Sequence, residues 1–145
     1  MTARHARTDE RLRVIGLLRD FHAAGNFGFP YDAARSDRLA RLAIADDNMA
    51  CIVVGEPAYG MLIGRAGLSE MGPFRFAEEL LIWIDPSARG TAWRDLLDAF
   101  EAWAKDKDCQ SIKVSVQQHW RSEALGRLWR RRGYLPVETV FSRSI

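Results

Sequence analysis

Two periods of apolar and polar positions run through this chain, and the switches between them mark out its elements. Residues 80–84 (LLIWI) form an unbroken apolar run with β-branched and aromatic members. Such a run suits a strand covered on both faces, and Pro86 stops it. Beyond a loop carrying Arg89, Gly90 and Thr91 the period changes. Trp93, Leu96, Leu97, Phe100, Trp103 and Ala104 recur at i, i+3, i+4, i+7, i+10 and i+11, with Arg94, Asp95, Asp98, Glu101 and Lys105 opposite. This predicts an amphipathic helix with one face on a sheet.

The rest of the chain divides in the same way. Residues 3–6 predict a short first strand, and Thr8-Asp9-Glu10 supplies a cap and acidic first turn for a helix whose stripe is Val14, Leu17, Leu18 and Phe21, ended by Gly25. Residues 26–31 are aromatic and glycine-bearing, and Asp32 caps a second helix carrying Leu39, Leu42 and Ala43. Phe27, Phe29 and Tyr31 read either as packing between helices and sheet or as the apolar lining of a pocket. Residues 50–54 and 59–68 predict two strands joined by a turn at Pro57. Gly60, Gly64 and Gly67 in the second mark bulges or close approaches. Residues 111–117 alternate Ile112, Val114 and Val116 against Lys113, Ser115 and Gln117, a fifth strand with a wetter face. Ser122 caps a last helix with Leu125, Leu128 and Trp129 on its apolar side, and Gly133 ends it. Arg130, Arg131 and Arg132 sit at its negative end, placed to complement the dipole or to meet nucleotide phosphates. Residues 134–137 and 139–144 predict two closing strands.

Composition narrows the class. The 145 residues, 48% apolar and 28% charged, predict a single globular domain over 1–145. A formal charge of +2 is too small to support general nucleic-acid binding. Cys51 and Cys109 have no metal-ligand spacing and read as reduced thiols. No apolar run reaches bilayer length and the arginine-bearing N-terminus is not a signal peptide, so a cytoplasmic protein without membrane attachment is expected.

The strand-loop-helix unit carries candidate chemistry. First-turn N–H groups of a helix lack intrahelical partners, and the dipole adds positive charge there, so an anion can be held beside Arg89, Gly90 and Arg94. Ile84-Asp85-Pro86 followed by Arg89-Gly90 resembles the GNAT family of acyl-CoA-dependent N-acetyltransferases, in which the fourth strand ends in a V-D-P-like turn followed by Q/R-x-x-G-x-G/A. The resemblance extends over nearly the whole chain, and the pattern is similar to versions found in bacteria and tailed phages. Ala92 and Arg94 stand where that motif has its later glycines.

The resemblance implies an α/β (α+β) fold: one mixed, mostly antiparallel sheet of six to seven strands with four helices, the fourth and fifth strands parallel and splayed. It implies acetyl-CoA as co-substrate, with its pantetheine arm along Ile82, Trp83 and Ile84 and its pyrophosphate at Arg89, Gly90, Thr91, Ala92, Trp93 and Arg94. The acceptor would be an amine on a small molecule or peptide, and the chain a homodimer or part of a larger assembly.

Transfer to an amine requires a proton acceptor, an oxyanion donor and a proton for the leaving thiolate. Glu78 and Glu79 open the strand that runs on to Ile84, on opposite faces, so only one can face a cleft. Phe76-Ala77-Glu78 is similar to the segment in which histone-acetylating members carry their base, which favours Glu78, and His119, after the fifth strand, is the rival base. Family members read N-x-x-A-x-x-L-Y-x-x-x-G-F near the C-terminus, whereas residues 121–134 put Arg121 at the asparagine, Trp129 at the tyrosine and Tyr134 at the phenylalanine. An indole donates a hydrogen bond but is no general acid at neutral pH, so the resemblance implies a cofactor-binding place for Trp129 and makes Tyr134 the candidate catalytic hydroxyl. These departures support an alternative, a GNAT-fold module with weakened or lost catalysis serving as a structural or binding subunit, including one associated with a phage particle.

Overall fold

The computed structural model describes residues 2–117 and 122–145. They fall into two compact units, Met1–Lys113 and Val114–Ile145, described in turn.

The first unit is a five-stranded sheet in the order β1-β2-β3-β4-β5, made of β1 (Arg4–His5), β2 (Met49–Gly55), β3 (Ala58–Leu68), β4 (Arg75–Ile84) and β5 (Ser111–Lys113). Neighbours are antiparallel except β4 and β5, which are parallel. Helices α1 (Arg11–Gly25) and α2 (Ala33–Ala45) precede β2, and α3 (Ala92–Asp106) links β4 to β5. Met61, Leu62 and Ile63 are successive residues of β3 and all fully buried, so both faces of the sheet are covered. The α3 helix covers the face carrying Gly64, where an added Cβ would strike the Phe100 ring. Packed on β2, β3 and β4, helices α1 and α2 take the other face.

Most of the α3 stripe lies in this core: Leu96, Leu97 and Phe100 are fully buried, with Trp93 and Trp103 at its margin. The α2 stripe differs from expectation. Ala40 and Ala43 are its buried residues and Leu42 is 44% exposed, because two small side chains one turn apart let the helix approach its neighbours closely. The Asp32 cap is in place, its Oδ1 accepting the Arg35 N–H at 3.0 Å. At the end of α1 the left-handed residue is Asn26 (φ 49°) rather than Gly25. Gly25 is the last helical residue, and it is small because the Phe27 ring lies against it.

Thr8–Glu10 forms a 3-10 turn in place of the expected first turn of α1, and Glu10 ties it down. Its buried carboxylate accepts from both terminal nitrogens of Arg4 at 2.8 Å and from the Arg7 N–H at 2.8 Å. Arg4 and Arg7 also pair with Glu56 of the β2–β3 turn at 2.9 and 3.0 Å. Above all, the Arg4 hydrogen bonds hold the Glu10 carboxyl at about 2, against an ordinary value of 4.5 and against the opposing effect of burial. A depressed carboxyl stabilises the fold above its unfolded pKa, and that contribution disappears as pH falls from 4.5 through about 2. Glu10→Gln is therefore expected to cost on the order of 2 kcal/mol at neutral pH, allowing for solvent screening of the partly exposed Arg4, and to flatten the acid limb of stability. Thermal melts between pH 7 and 2 check this; parallel curves for variant and parent would refute it.

The second unit contains α4 (Ser122–Arg131). Ser122 is the first described residue of the helix, and Gly133 ends it as expected, at φ 91° with its N–H donating to the Arg130 carbonyl at 3.0 Å. Arg130 and Arg131 lie in the last turn. Two expectations fail here. The fifth strand stops at Lys113 instead of residue 117, and residues 134–137 and 139–144 form no strand. Among the described residues the sheet thus has five strands, not six or seven. Leu135, Val137, Val140, Phe141 and Ile145 are exposed, since apolar residues that keep no strict period of two do not by themselves specify a strand.

Candidate functional site

The site is built from β4 outward. Parallel pairing with β5 joins Phe76 to Ser111, Ala77 to Ile112 and Glu78 to Lys113, and ends there. Antiparallel pairing with β3 continues to Ile84 opposite Gly60. From Glu79 onward the β5 side of β4 has no strand partner among the described residues, because β5 ends at Lys113. Ile82, Trp83 and Ile84 lie on that stretch, with buried side chains.

A bulge sits at the same place. Ile63 opposes Leu81 while Gly64 opposes Glu79, so Leu80 is the extra residue and is 37% exposed. Of the three glycines flagged in β3, Gly64 is the one at this bulge, and its missing side chain admits the Phe100 ring. The register sorts the two glutamates. Glu79 shares the face of Gly64, under α3, and is buried. Glu78 is opposite Arg65 on the α1–α2 face, half-buried, and pairs with it at 3.3 Å. Only Glu78 therefore faces the side of the sheet carrying the first two helices.

After Ile84, Pro86–Ala88 make a 3-10 turn, and Thr91 opens α3. The Thr91 carbonyl accepts from Arg94 at 3.0 Å and Asp95 at 3.2 Å, and no side chain caps the helix. Among the described residues no backbone acceptor is assigned to the N–H groups of Gly90, Thr91, Ala92 and Trp93. A Cβ on Gly90 would meet nothing within 4 Å, so bare backbone faces open space. Ala92 is buried, so its methyl does not stand over the amides, and Arg94 is exposed. Arg89 turns back toward the strand: its Nε donates to the Ile84 carbonyl at 3.3 Å and its guanidinium lies 5.6 Å from the Trp83 ring centroid. This donor set suits a pyrophosphate, which needs several N–H groups and positive charge at a helix start.

Within the second unit, Trp129 is buried and its indole N–H donates to the Ser115 carbonyl at 3.2 Å, so that donor already has a structural acceptor. Tyr134 meets the Trp129 ring edge-on at 5.5 Å. His119 lies outside the described residues.

Two features escaped the pattern reading. Arg13 on α1 donates to the Ala58 carbonyl at 2.5 Å and to Asp85 at 3.4 Å, bracing the start of the loop between β4 and α3. No local spacing announces a pair 72 residues apart. The other feature is His22, which gathers Phe27, Phe29 and Tyr31 at ring distances of 5.7, 5.4 and 5.6 Å beside a cavity of about 400 Å³. The aromatic density of residues 21–31 was its signal.

No family profile and no curated protein matches the sequence. Solved structures do. The chain is similar to a probable acetyltransferase with a TM-score of 0.79 and 12% identity, covering 100% of this chain and 97% of that one. It is similar to the ribosomal-protein-alanine N-acetyltransferase of Brucella melitensis biovar Abortus 2308, with a TM-score of 0.74, 11% identity and 100% of both chains covered. A transcriptional regulator from Bacillus halodurans C-125 gives 0.77 with 23% identity over 99% of each. The shared feature is the fold, the GNAT fold, with its parallel β4–β5 pair in a mixed sheet flanked by helices.

Proposed function

We propose that this protein is a GNAT-type N-acetyltransferase moving an acetyl group from acetyl-CoA to a primary amine. The observation that carries the proposal is the junction at the end of β4, where a strand that loses its parallel partner after Glu78 runs into a glycine loop and an uncapped helix start. Acetyl-CoA supplies an activated thioester. The chain would contribute the backbone of Ile82, Trp83 and Ile84 along the pantetheine arm, and the amides of Gly90, Thr91, Ala92 and Trp93 at the pyrophosphate, with Arg89 and Arg94 adding charge. Glu78 would take the proton that the acceptor amine must lose. The fold neighbours named as acetyltransferases support the reaction class, and the Brucella neighbour's name supports an amine acceptor.

Calorimetric titration with acetyl-CoA tests this directly. Heat is expected at or below millimolar ligand, within the usual range of enzyme substrates. Gly90→Val should fold normally, since nothing lies near that position, yet bind about tenfold more weakly because a side chain would stand over the amides. A silent titration at millimolar ligand would end the enzymatic proposal.

One observation favours a second reading. The exposed apolar residues after α4 suit a chain that covers them with a partner, as a catalytically weakened module of a larger, including virion-associated, assembly would. That reading expects the silent titration.

A further inference from the structure

We propose that the dish beside His22 binds a single amine carried on an aromatic stem. The proposal rests on the acetyl-transfer reading only in making that amine the acceptor. The dish is lined by residues 22–23 and 26–30 and contains no charged side chain. Its walls are held in place before any ligand arrives. The His22 Nε2–H donates to the Phe29 carbonyl at 2.9 Å, Phe27 stacks on Phe29 at 5.7 Å and 27°, and Gly25 leaves the space that the Phe27 ring occupies. A fixed wall lowers the ordering cost of binding.

Its chemistry selects a narrow class. Stacked rings offer an aromatic ligand an offset or edge-on partner, and their negative faces attract one ammonium group. With the Nε2 proton committed to Phe29, the neutral imidazole has its lone pair on Nδ1, an acceptor for an amine N–H. A polycation needs several carboxylates around it, and none lines the dish. Tyr31, outside the lining, meets His22 edge-on and helps to fix that ring, while its own ring face is taken by the Arg19 guanidinium at 5.9 Å. Helix α1, which carries His22, packs on β3 and β4, the strands bearing Arg65 and Glu78.

The experiment compares benzylamine with spermidine on the full chain, first by calorimetric binding and then by mass-spectrometric detection of acetylated product with acetyl-CoA present. Benzylamine is expected to bind and spermidine at equal concentration to give no saturable signal. Phe29→Ala removes a side chain that is 61% exposed, so it should fold as the parent does, and it should weaken benzylamine about fivefold or more. His22→Phe keeps an aromatic wall but removes the nitrogen acceptor, so it should weaken benzylamine more than toluene. Benzylamine binding without acetylated product would uphold the dish and remove acetyl transfer. Spermidine acetylated at a rate indifferent to Phe29→Ala would uphold acetyl transfer and overturn the dish. Failure of benzylamine to bind, or equal affinity in Phe29→Ala, also overturns it.

Discussion

Phe100→Ala is expected to lower the unfolding free energy by about 3–5 kcal/mol, the usual cost of removing a fully buried ring. Phe100 is wholly inaccessible, stacks on Trp103 at 5.7 Å and rests on the bare backbone of Gly64. The same contact predicts the converse. Gly64→Ala places a methyl against that ring and within 2.9 Å of the Glu78 carbonyl, so it should cost about 1–3 kcal/mol by overpacking. The two effects share one space and should not add. In a Phe100→Leu background the Gly64→Ala penalty should shrink, though not vanish, because the Glu78 carbonyl remains. Urea unfolding of the four proteins of this cycle measures the coupling. Strict additivity would mean that ring and glycine do not meet.

That contact also shows why the pattern revealed so much of the first unit. Where an element is covered, its period records the covering. The α3 stripe named its buried face, and the glycines of β3 located a bulge because absent side chains leave room for something else. Composition alone is a weaker guide. Residues 134–144 carry β-branched and aromatic side chains, yet their apolar positions keep no period of two, and the segment is exposed chain. Leu42 fails for a related reason: a helix packed through Ala40 and Ala43 does not need its largest apolar residue inside.

The candidate site divides along the same line. Loop residues from Arg89 to Arg94 are adjacent in sequence, so a local motif could collect them. The Arg13 brace on Asp85 and the Arg65 partner of Glu78 arise from tertiary packing and strand register, which a local pattern does not encode. Register also separates Glu78 from Glu79, whose neighbouring positions in sequence say only that they oppose each other.

This separation makes the proposed base testable with its own internal control. Glu78→Gln is expected to reduce turnover by about 10²- to 10⁴-fold, the range for loss of a positioned proton acceptor, with acetyl-CoA affinity and melting temperature close to the parent's. Only a surface-side pairing with the partly exposed Arg65 is lost from the fold, and such pairs contribute little. Glu79→Gln should behave in the opposite manner. Its carboxylate is buried on the α3 face, so the expected change is in melting temperature, with turnover per folded molecule retained. Steady-state rates with a fixed amine, corrected for folded fraction, distinguish the two. Should Glu78→Gln keep full turnover, the proton must leave the amine by another route. His119 would then become the residue to replace, because it is the remaining basic candidate after the fifth strand and its neutral imidazole can accept a proton near physiological pH.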